Sequence, residues 1–217
     1  SSVQKLLHIE KLVKSKELNS NILKPPKIIA VSKTFSLDKI MPLIEHGHCD
    51  YGENKVQEAL DKWGQIKLEK PELVLHLIGK LQTNKVKFAL KIFDFIHSVD
   101  SKKLANKIYD EQLKQNKKVK IFIQVNLGNE VQKSGVLKND LNELYLYCMS
   151  LKLNVVGLMC IPPVNSDPDP FFHELNELNK NLSLKDLSIG MSSDYIKAVE
   201  NHSTYLRVGS AIFGNRT

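Results

Sequence analysis

The stretch Lys27-Ile28-Ile29-Ala30-Val31-Ser32-Lys33 decides the fold. Its four central residues are all apolar and rich in β-branched side chains, with no polar face left for water. A strand with one wet face alternates. A continuous apolar run belongs to a strand covered on both sides, as in a parallel sheet dressed with helices. Working outward from residues 27–33, the same β-rich character recurs at residues 48–54, 74–79, 93–100, 120–127, 154–162, 187–191 and 205–214. Between these runs the apolar residues fall at helical spacing, as in Leu37, Ile40, Met41 and Ile44. Leu141, Leu144, Tyr145 and Cys148 form a second such stripe, and Phe171, Leu175, Leu178 and Leu182 a third. Asp100-Ser101 is placed to cap a helix carrying Leu104 and Ile108, and Asn139 to cap the Leu141 helix. An extra amphipathic helix at residues 3–18 precedes the first strand, and Pro25-Pro26 closes it.

Eight strand–helix alternations predict a single (β/α)8 TIM-type barrel with an added N-terminal helix, one domain over residues 1–217. A six-stranded doubly wound sheet would leave two of the runs without a place. The 217 residues are 42% hydrophobic and 25% charged, enough to bury a sizeable core without a disulfide or metal staple. Cys49, Cys148 and Cys160 are odd in number and far apart, so neither a disulfide framework nor a thiolate zinc site is expected. Reduced thiols, a leading segment without a signal-peptide core and no apolar run near about 18 residues predict a cytoplasmic protein without a membrane span. The net charge of +7 is spread over isolated lysines and pairs such as Lys102-Lys103, with no aromatic interleaving. Solvated helix faces explain it, and neither nucleic acid nor membrane is expected as a partner. Only Arg207 and Arg216 are arginines among 31 basic residues, which marks them as places where a flat guanidinium is needed.

In a parallel barrel, chemistry sits at the C-terminal ends of the strands. The first ends in Ser32-Lys33-Thr34, where partial withdrawal from water disfavours an ammonium and suits a lysine to Schiff-base chemistry. A lysine snorkelling to the rim would look the same. The second ends in Tyr51-Gly52-Glu53-Asn54 and the third carries His76, which by itself reads as a satisfied core residue. The fifth ends in Gln124-Val125-Asn126 and the sixth in Met159-Cys160, where Met159 either lies against a flat ring or fills core. Ser192-Ser193-Asp194 follows the seventh strand, and Gly209-Ser210 follows Arg207 on the eighth. Loops in these two places often form a phosphate cup, although Ser192 or Asp194 could simply cap a helix. An amine donor at Lys33, a guanidinium at Arg207 and a cup at Ser192, Gly209 and Ser210 match the needs of pyridoxal 5′-phosphate.

At these residues the chain resembles the pyridoxal phosphate homeostasis protein family, itself similar to the N-terminal barrel of alanine racemase. The resemblance runs from Lys27 to Arg216. It rests on Ala30-Val31-Ser32-Lys33-Thr34, Tyr51-Gly52-Glu53-Asn54-Lys55-Val56-Gln57-Glu58, His76-Leu77-Ile78-Gly79 and Leu81-Gln82-Thr83-Asn84-Lys85. Gln124-Val125-Asn126, Lys133-Ser134-Gly135, Gly157-Leu158-Met159, Gly190-Met191-Ser192-Ser193-Asp194 and the run from Arg207 to Gly214 complete it. It implies that Lys33 forms the internal aldimine, that Arg207 faces the pyridine nitrogen, that Ser192, Gly209 and Ser210 hold the phosphate, and that Asn54 and Met159 line the ring. Lys80 departs from the family's small residue or proline, and Ser210 from its commoner threonine. The implied function is vitamin B6 homeostasis without catalysis, in a monomer that serves apo pyridoxal-phosphate enzymes. Arg207 should leave the ring nitrogen unprotonated and the ring a poor electron sink, and a chain ending at Thr217 has no second domain to supply another acid/base. A weak amino-acid racemase is the rival expectation, and a basic nucleic-acid or membrane-surface binder the next.

Overall fold

The computed structural model of the protein describes residues 1–20, 25–131 and 134–215. After α1 (Ser2–Ser20) come β1 (Lys27–Val31), α2 (Leu37–His46), β2 (Asp50–Glu53), α3 (Val56–Glu69), β3 (Val74–Leu77) and α4 (Val86–Ala89). The chain continues through β4 (Phe95–Val99), α5 (Lys102–Gln115), β5 (Lys120–Asn126), β6 (Val136–Leu137), α6 (Leu141–Ser150) and β7 (Asn154–Met159). It closes with α7 (Asp169–Asn181), β8 (Asp186–Ser188), α8 (Tyr195–Glu200), β9 (Tyr205–Val208) and α9 (Ser210–Phe213). The strands run in the order β4-β3-β2-β1-β9-β8-β7-β5, and β4 pairs with β5 to close the ring. Every pairing is parallel, as in Lys27↔Tyr205 and Asp50↔Val74. This is the expected (β/α)8 barrel, and the two-residue β6 is an appendage on the end of β5 that the sequence does not announce.

The two-residue period of the strands separates two cores. Ile28 and Ala30 face the helices, where most of the apolar residues pack. Ile29 faces inward, in a smaller cluster with Phe95, Phe122, Met159 and Tyr205. Covering both faces explains why residues 28–31 carry no polar side chain. Gly157 is required where β7 meets β8, because a Cβ there would come 1.7 Å from the Asp186 carbonyl oxygen. Helix α1 buries Leu6, Ile9 and Val13 and packs on α2, α8 and α9.

Several boundaries differ from expectation. The strands stop short of their predicted ends, and residues 210–213 of the last run form α9. A four-residue apolar helix and a strand end read alike in sequence. In the α7 stripe Leu175, Leu178 and Leu182 pack on the core as expected, and only Phe171 cedes its place, to the buried Phe172. Ser101 caps α5 by accepting from the Leu104 amide at 3.1 Å. The residue at the start of α6 is Asp140 rather than Asn139, because a single 3-10 turn at Lys138–Asp140 leads into the helix. Lys133 and Arg216 lie outside the described residues.

Candidate functional site

The C-terminal mouth of the barrel opens into a cavity of about 590 Å³. Lys33, Asn54, Arg207, Gly209, Ser210 and Ser192 all line it, so six of the seven residues singled out from sequence meet in one place. Met159 is the exception. It is fully buried in the inward-facing cluster with Phe122 and Ile29, and does not line the cavity. Two residues on, with the same inward phase, Ile161 takes the wall position instead. Val31, Ile78, Met191 and Ser193 also line the cavity. Asp, Glu, His, Cys and Tyr are absent from its lining among the described residues, so its only ionisable groups are Lys33 and Arg207.

Lys33 sits just past β1 in a turn whose next residue, Thr34, has φ of 69°. A β-branched residue pays to adopt this left-handed conformation, so something must hold it there. Glu58 does so, accepting from the Thr34 amide at 2.6 Å. On the other side of Lys33, the Lys62 ammonium donates to the Ser32 carbonyl at 2.8 Å. Lys62 also bridges Glu58 at 2.9 Å and Glu53 at 3.0 Å. Glu53 is fully buried and accepts from Ser32 Oγ at 2.5 Å and Trp63 Nε1 at 3.1 Å. Burial pushes its carboxyl above the usual range, against the opposing pull of Ser32, Lys62 and Trp63. The lysine that faces the cavity thus hangs from a backbone gripped on both sides by α3.

Arg207 is 3% exposed, with Nη1 donating to the Ser188 carbonyl at 2.8 Å and Ser188 Oγ at 2.5 Å, and Nη2 to the Cys160 carbonyl at 3.1 Å. Burial lowers its pKa to about 10, which still leaves it a cation at neutral pH. From Ser188 a chain of hydrogen bonds descends through the barrel: to His97 Nδ1 at 2.9 Å, from His97 Nε2 to His76 Nδ1 at 2.9 Å, and from His76 Nε2 to Asp50 Oδ1 at 2.8 Å. A guanidinium only donates and a carboxylate only accepts, so the two ends fix the direction of every bond between. Ser188 must donate to His97, and each histidine must carry its proton on Nε2. Burial holds His76 below the usual imidazole value, and His97 well below it, where a proton on His76 or the Arg207 cation further disfavours charge. Both rings are neutral, and they stack on Phe95 and Phe122 with centroids 4.4 and 4.3 Å apart. The sequence gives no sign of this relay, because His76 and His97 are lone histidines until strand register aligns them.

The two loops expected to flank a phosphate are joined. Ser192 Oγ accepts from the Ala211 amide at 3.1 Å, linking the turn after β8 to the first turn of α9. Gly190, at φ of 104°, starts that turn; its carbonyl accepts from Arg207 N at 2.8 Å, and a Cβ on it would fall 2.5 Å from that of Ala198. Asp194 ties the turn back by accepting from the Met191 amide at 2.7 Å. Ser192, Ser193 and Ser210 therefore bring hydroxyl and backbone groups to one side of the cavity.

Comparison with known proteins agrees with this geometry. Residues 14–217 match the family model of the alanine racemase N-terminal domain. A pyridoxal phosphate homeostasis protein of Aquifex aeolicus is 40% identical over 200 residues, covering 88% of this chain and 87% of that protein. The Bos taurus protein of the same name is 35% identical over 88% of this chain and 77% of its own length. The solved structure of PipY from Synechococcus elongatus with PLP bound superposes with a TM-score of 0.81 at 32% identity, over 93% of this chain and all of that one. With the barrel, the lysine after its first strand and the paired loops after its last two in place, the chain belongs to the alanine racemase N-terminal domain family, among the pyridoxal phosphate homeostasis proteins.

Proposed function

We propose that this chain binds pyridoxal 5′-phosphate at the mouth of its barrel and serves vitamin B6 homeostasis, holding and passing on the cofactor rather than catalysing with it. The observation that carries the reading is the charge pattern of the cavity: one amine, one guanidinium, several hydroxyl and backbone donors, and no carboxylate among the described residues. The cofactor is a phosphorylated aldehyde on a flat basic ring, and about 590 Å³ lined in this way suits it in size and charge. When bound, it supplies an aldehyde for a primary amine and a ring that accepts electrons. Lys33 is the amine that attaches to the aldehyde. Ser192, Gly209 and Ser210 hold the phosphate, Asn54 borders the ring, and Arg207 faces the ring nitrogen.

Two features favour holding over catalysis. Arg207 can only donate hydrogen bonds, so opposite the ring nitrogen it opposes protonation there and weakens the ring as an electron sink. A racemase-like reaction also needs a second proton donor or acceptor near Lys33. Cys160 is buried outside the lining with its thiol pushed up to about 12, and Tyr51 is buried against Trp63 and His48, also outside the lining. The homeostasis name of the relatives is consistent with this reading. The charge of +7 needs no nucleic acid or membrane, and no helix among the described residues is long and apolar enough to cross a membrane. Apo pyridoxal-phosphate enzymes are the proposed recipients, served by a cytoplasmic monomer.

Borohydride reduction followed by peptide mapping tests the attachment. The loaded protein is expected to show an imine absorbance band and to carry the reduced cofactor on the peptide containing Lys33. Label on another lysine, with Lys33→Ala still coloured and reducible, overturns the assignment. Loaded protein should also restore activity to an apo enzyme, and exchange of the L-alanine α-proton in deuterated water at enzyme-like rates would overturn the carrier role.

A further inference from the structure

Beside the main cavity lies a polar annex of about 340 Å³, reached past Asn54, Ile78 and Ile161, which line both. It extends toward the ends of β3 and β5, and Gln124, Lys80 and Ser134 complete its polar wall. Gln124 is 7% exposed, and its amide has no hydrogen-bond partner among the described residues. The amide is not sealed in the core but opens onto the annex, where a ligand or water meets it. Asn126, by contrast, is spent on its own loop, donating to the Glu130 carbonyl at 2.8 Å. Lys80 is exposed and has no ion-pair partner among the described residues. No carboxylate lines the annex among those residues.

Amide donors, a hydroxyl and one ammonium, with no acid to oppose them, suit a carboxylate. We propose that the annex is a subsite for the carboxylate of a free α-amino acid, placed so that its amine enters the main cavity and takes the place of Lys33 on the bound cofactor. This rests on the cofactor reading above. The nitrogen of the amino acid bonds to the carbon that Lys33 holds, and the Lys33 nitrogen–carbon bond breaks. The incoming nitrogen gives up its N–H protons as its double bond to that carbon forms, and the departing Lys33 nitrogen takes up the same number as it leaves, so neither oxidant nor reductant is needed. The cofactor then keeps only its non-covalent contacts and leaves more readily. Amino-acid concentration thereby sets how firmly the protein holds its cargo.

The test uses loaded full-length protein and reads two quantities: the fraction of cofactor that borohydride fixes on Lys33, and the fraction released on gel filtration. L-alanine and L-alaninamide are compared at equal concentrations of unprotonated amine. L-alanine is expected to halve the Lys33 label at a concentration about tenfold lower than the amide, which lacks the carboxylate. Lys80→Ala and Gln124→Glu should each raise the L-alanine requirement about tenfold, leaving cofactor loading and the alaninamide response unchanged. Lys80 is exposed, so its variant stays folded even if the buried change at Gln124 does not. Acetate should protect the Lys33 label against L-alanine. Equal potency of the two amines, or variants without effect, overturns the subsite; protection by inorganic phosphate but not acetate assigns it to phosphate instead and also overturns it. Absence of Lys33 label before any amine is added defeats the cofactor reading itself, so the two failures are distinct.

Discussion

Replacing Lys62 by methionine tests whether the buried network behind Lys33 is a structural necessity. Lys62 is 8% exposed at its side chain and donates to the Ser32 carbonyl, to Glu53 and to Glu58. Methionine keeps most of the volume and removes the charge, leaving Glu53 with only Ser32 Oγ and Trp63 Nε1 as partners. Breaking a buried pair from one side costs about 3–5 kcal/mol, because the remaining charge is neither solvated nor matched. For a chain of this size each kcal/mol moves Tm by about 2–4 °C, so a fall of roughly 10 °C is expected. Glu53→Gln alone should cost less, about 1–2 kcal/mol, since Lys62 keeps the partly exposed Glu58. In the double variant no fully buried charge is stranded, since Glu58 is partly exposed and keeps the Thr34 amide, and most of the Lys62→Met loss should return. Urea unfolding followed by circular dichroism gives the four corners of the cycle. Strict additivity, or a Lys62→Met loss under 1 kcal/mol, would show that the network does not act as a unit.

Acidification should destabilise the fold through His76 and His97. Burial holds both below an ordinary imidazole's 6.5, so the unfolded chain binds protons first as pH falls. Stability is therefore lost below about pH 6.5, by up to about 1.4 kcal/mol per pH unit for each histidine, until the folded values are reached. Urea midpoints between pH 7 and pH 5 measure the slope, and a flat profile that His97→Gln leaves unchanged contradicts the neutral relay. Ser192→Ala combined with Ser210→Ala should weaken the phosphorylated cofactor by about 1.5–3 kcal/mol for each charge-assisted bond lost, and unphosphorylated pyridoxal much less. Equilibrium dialysis of both ligands decides it, and equal losses place the phosphate elsewhere.

The barrel was legible because it rests on local signals. Residues 28–31 are apolar throughout, and a strand covered on both faces needs nothing more to declare itself. Lys33, Arg207, Ser192, Gly209 and Ser210 were legible because strand ends on one rim of a parallel barrel must converge. Depth is a different matter. Met159 and Ile161 share an inward phase, and only the closed ring reveals that one is sealed in the core and the other lines the wall. Partnership across strands was equally hidden. Glu53 and Lys62 sit on successive elements, and His76 and His97 on β3 and β4, so their contacts exist only after the register is set. Gln124 read as the polar end of an apolar strand, and its missing partner is a property of the folded neighbourhood.

The polar axis through the barrel has a physical rationale in Arg207. Filling the interior around His76, His97 and Ser188 with apolar side chains would be easier to satisfy, since each buried polar group needs a partner. Yet a guanidinium 3% exposed at the cavity floor needs acceptors, and the Ser188 hydroxyl can serve only if its own proton goes elsewhere. His97 takes that proton's hydrogen bond, His76 takes the next, and Asp50, with a partly exposed side chain, ends the series where the carboxylate keeps some water. The direction of the whole chain is thus set by its two charged ends. Reversing any one bond would put two donors or two acceptors face to face. Arg207 consequently meets the cavity as a fixed cation that donates and never accepts. In the proposed seating, a proton arriving on the ring nitrogen would find a positive charge and no acceptor. In that proposed seating, the relay that secures the guanidinium would also keep the ring in its less reactive form.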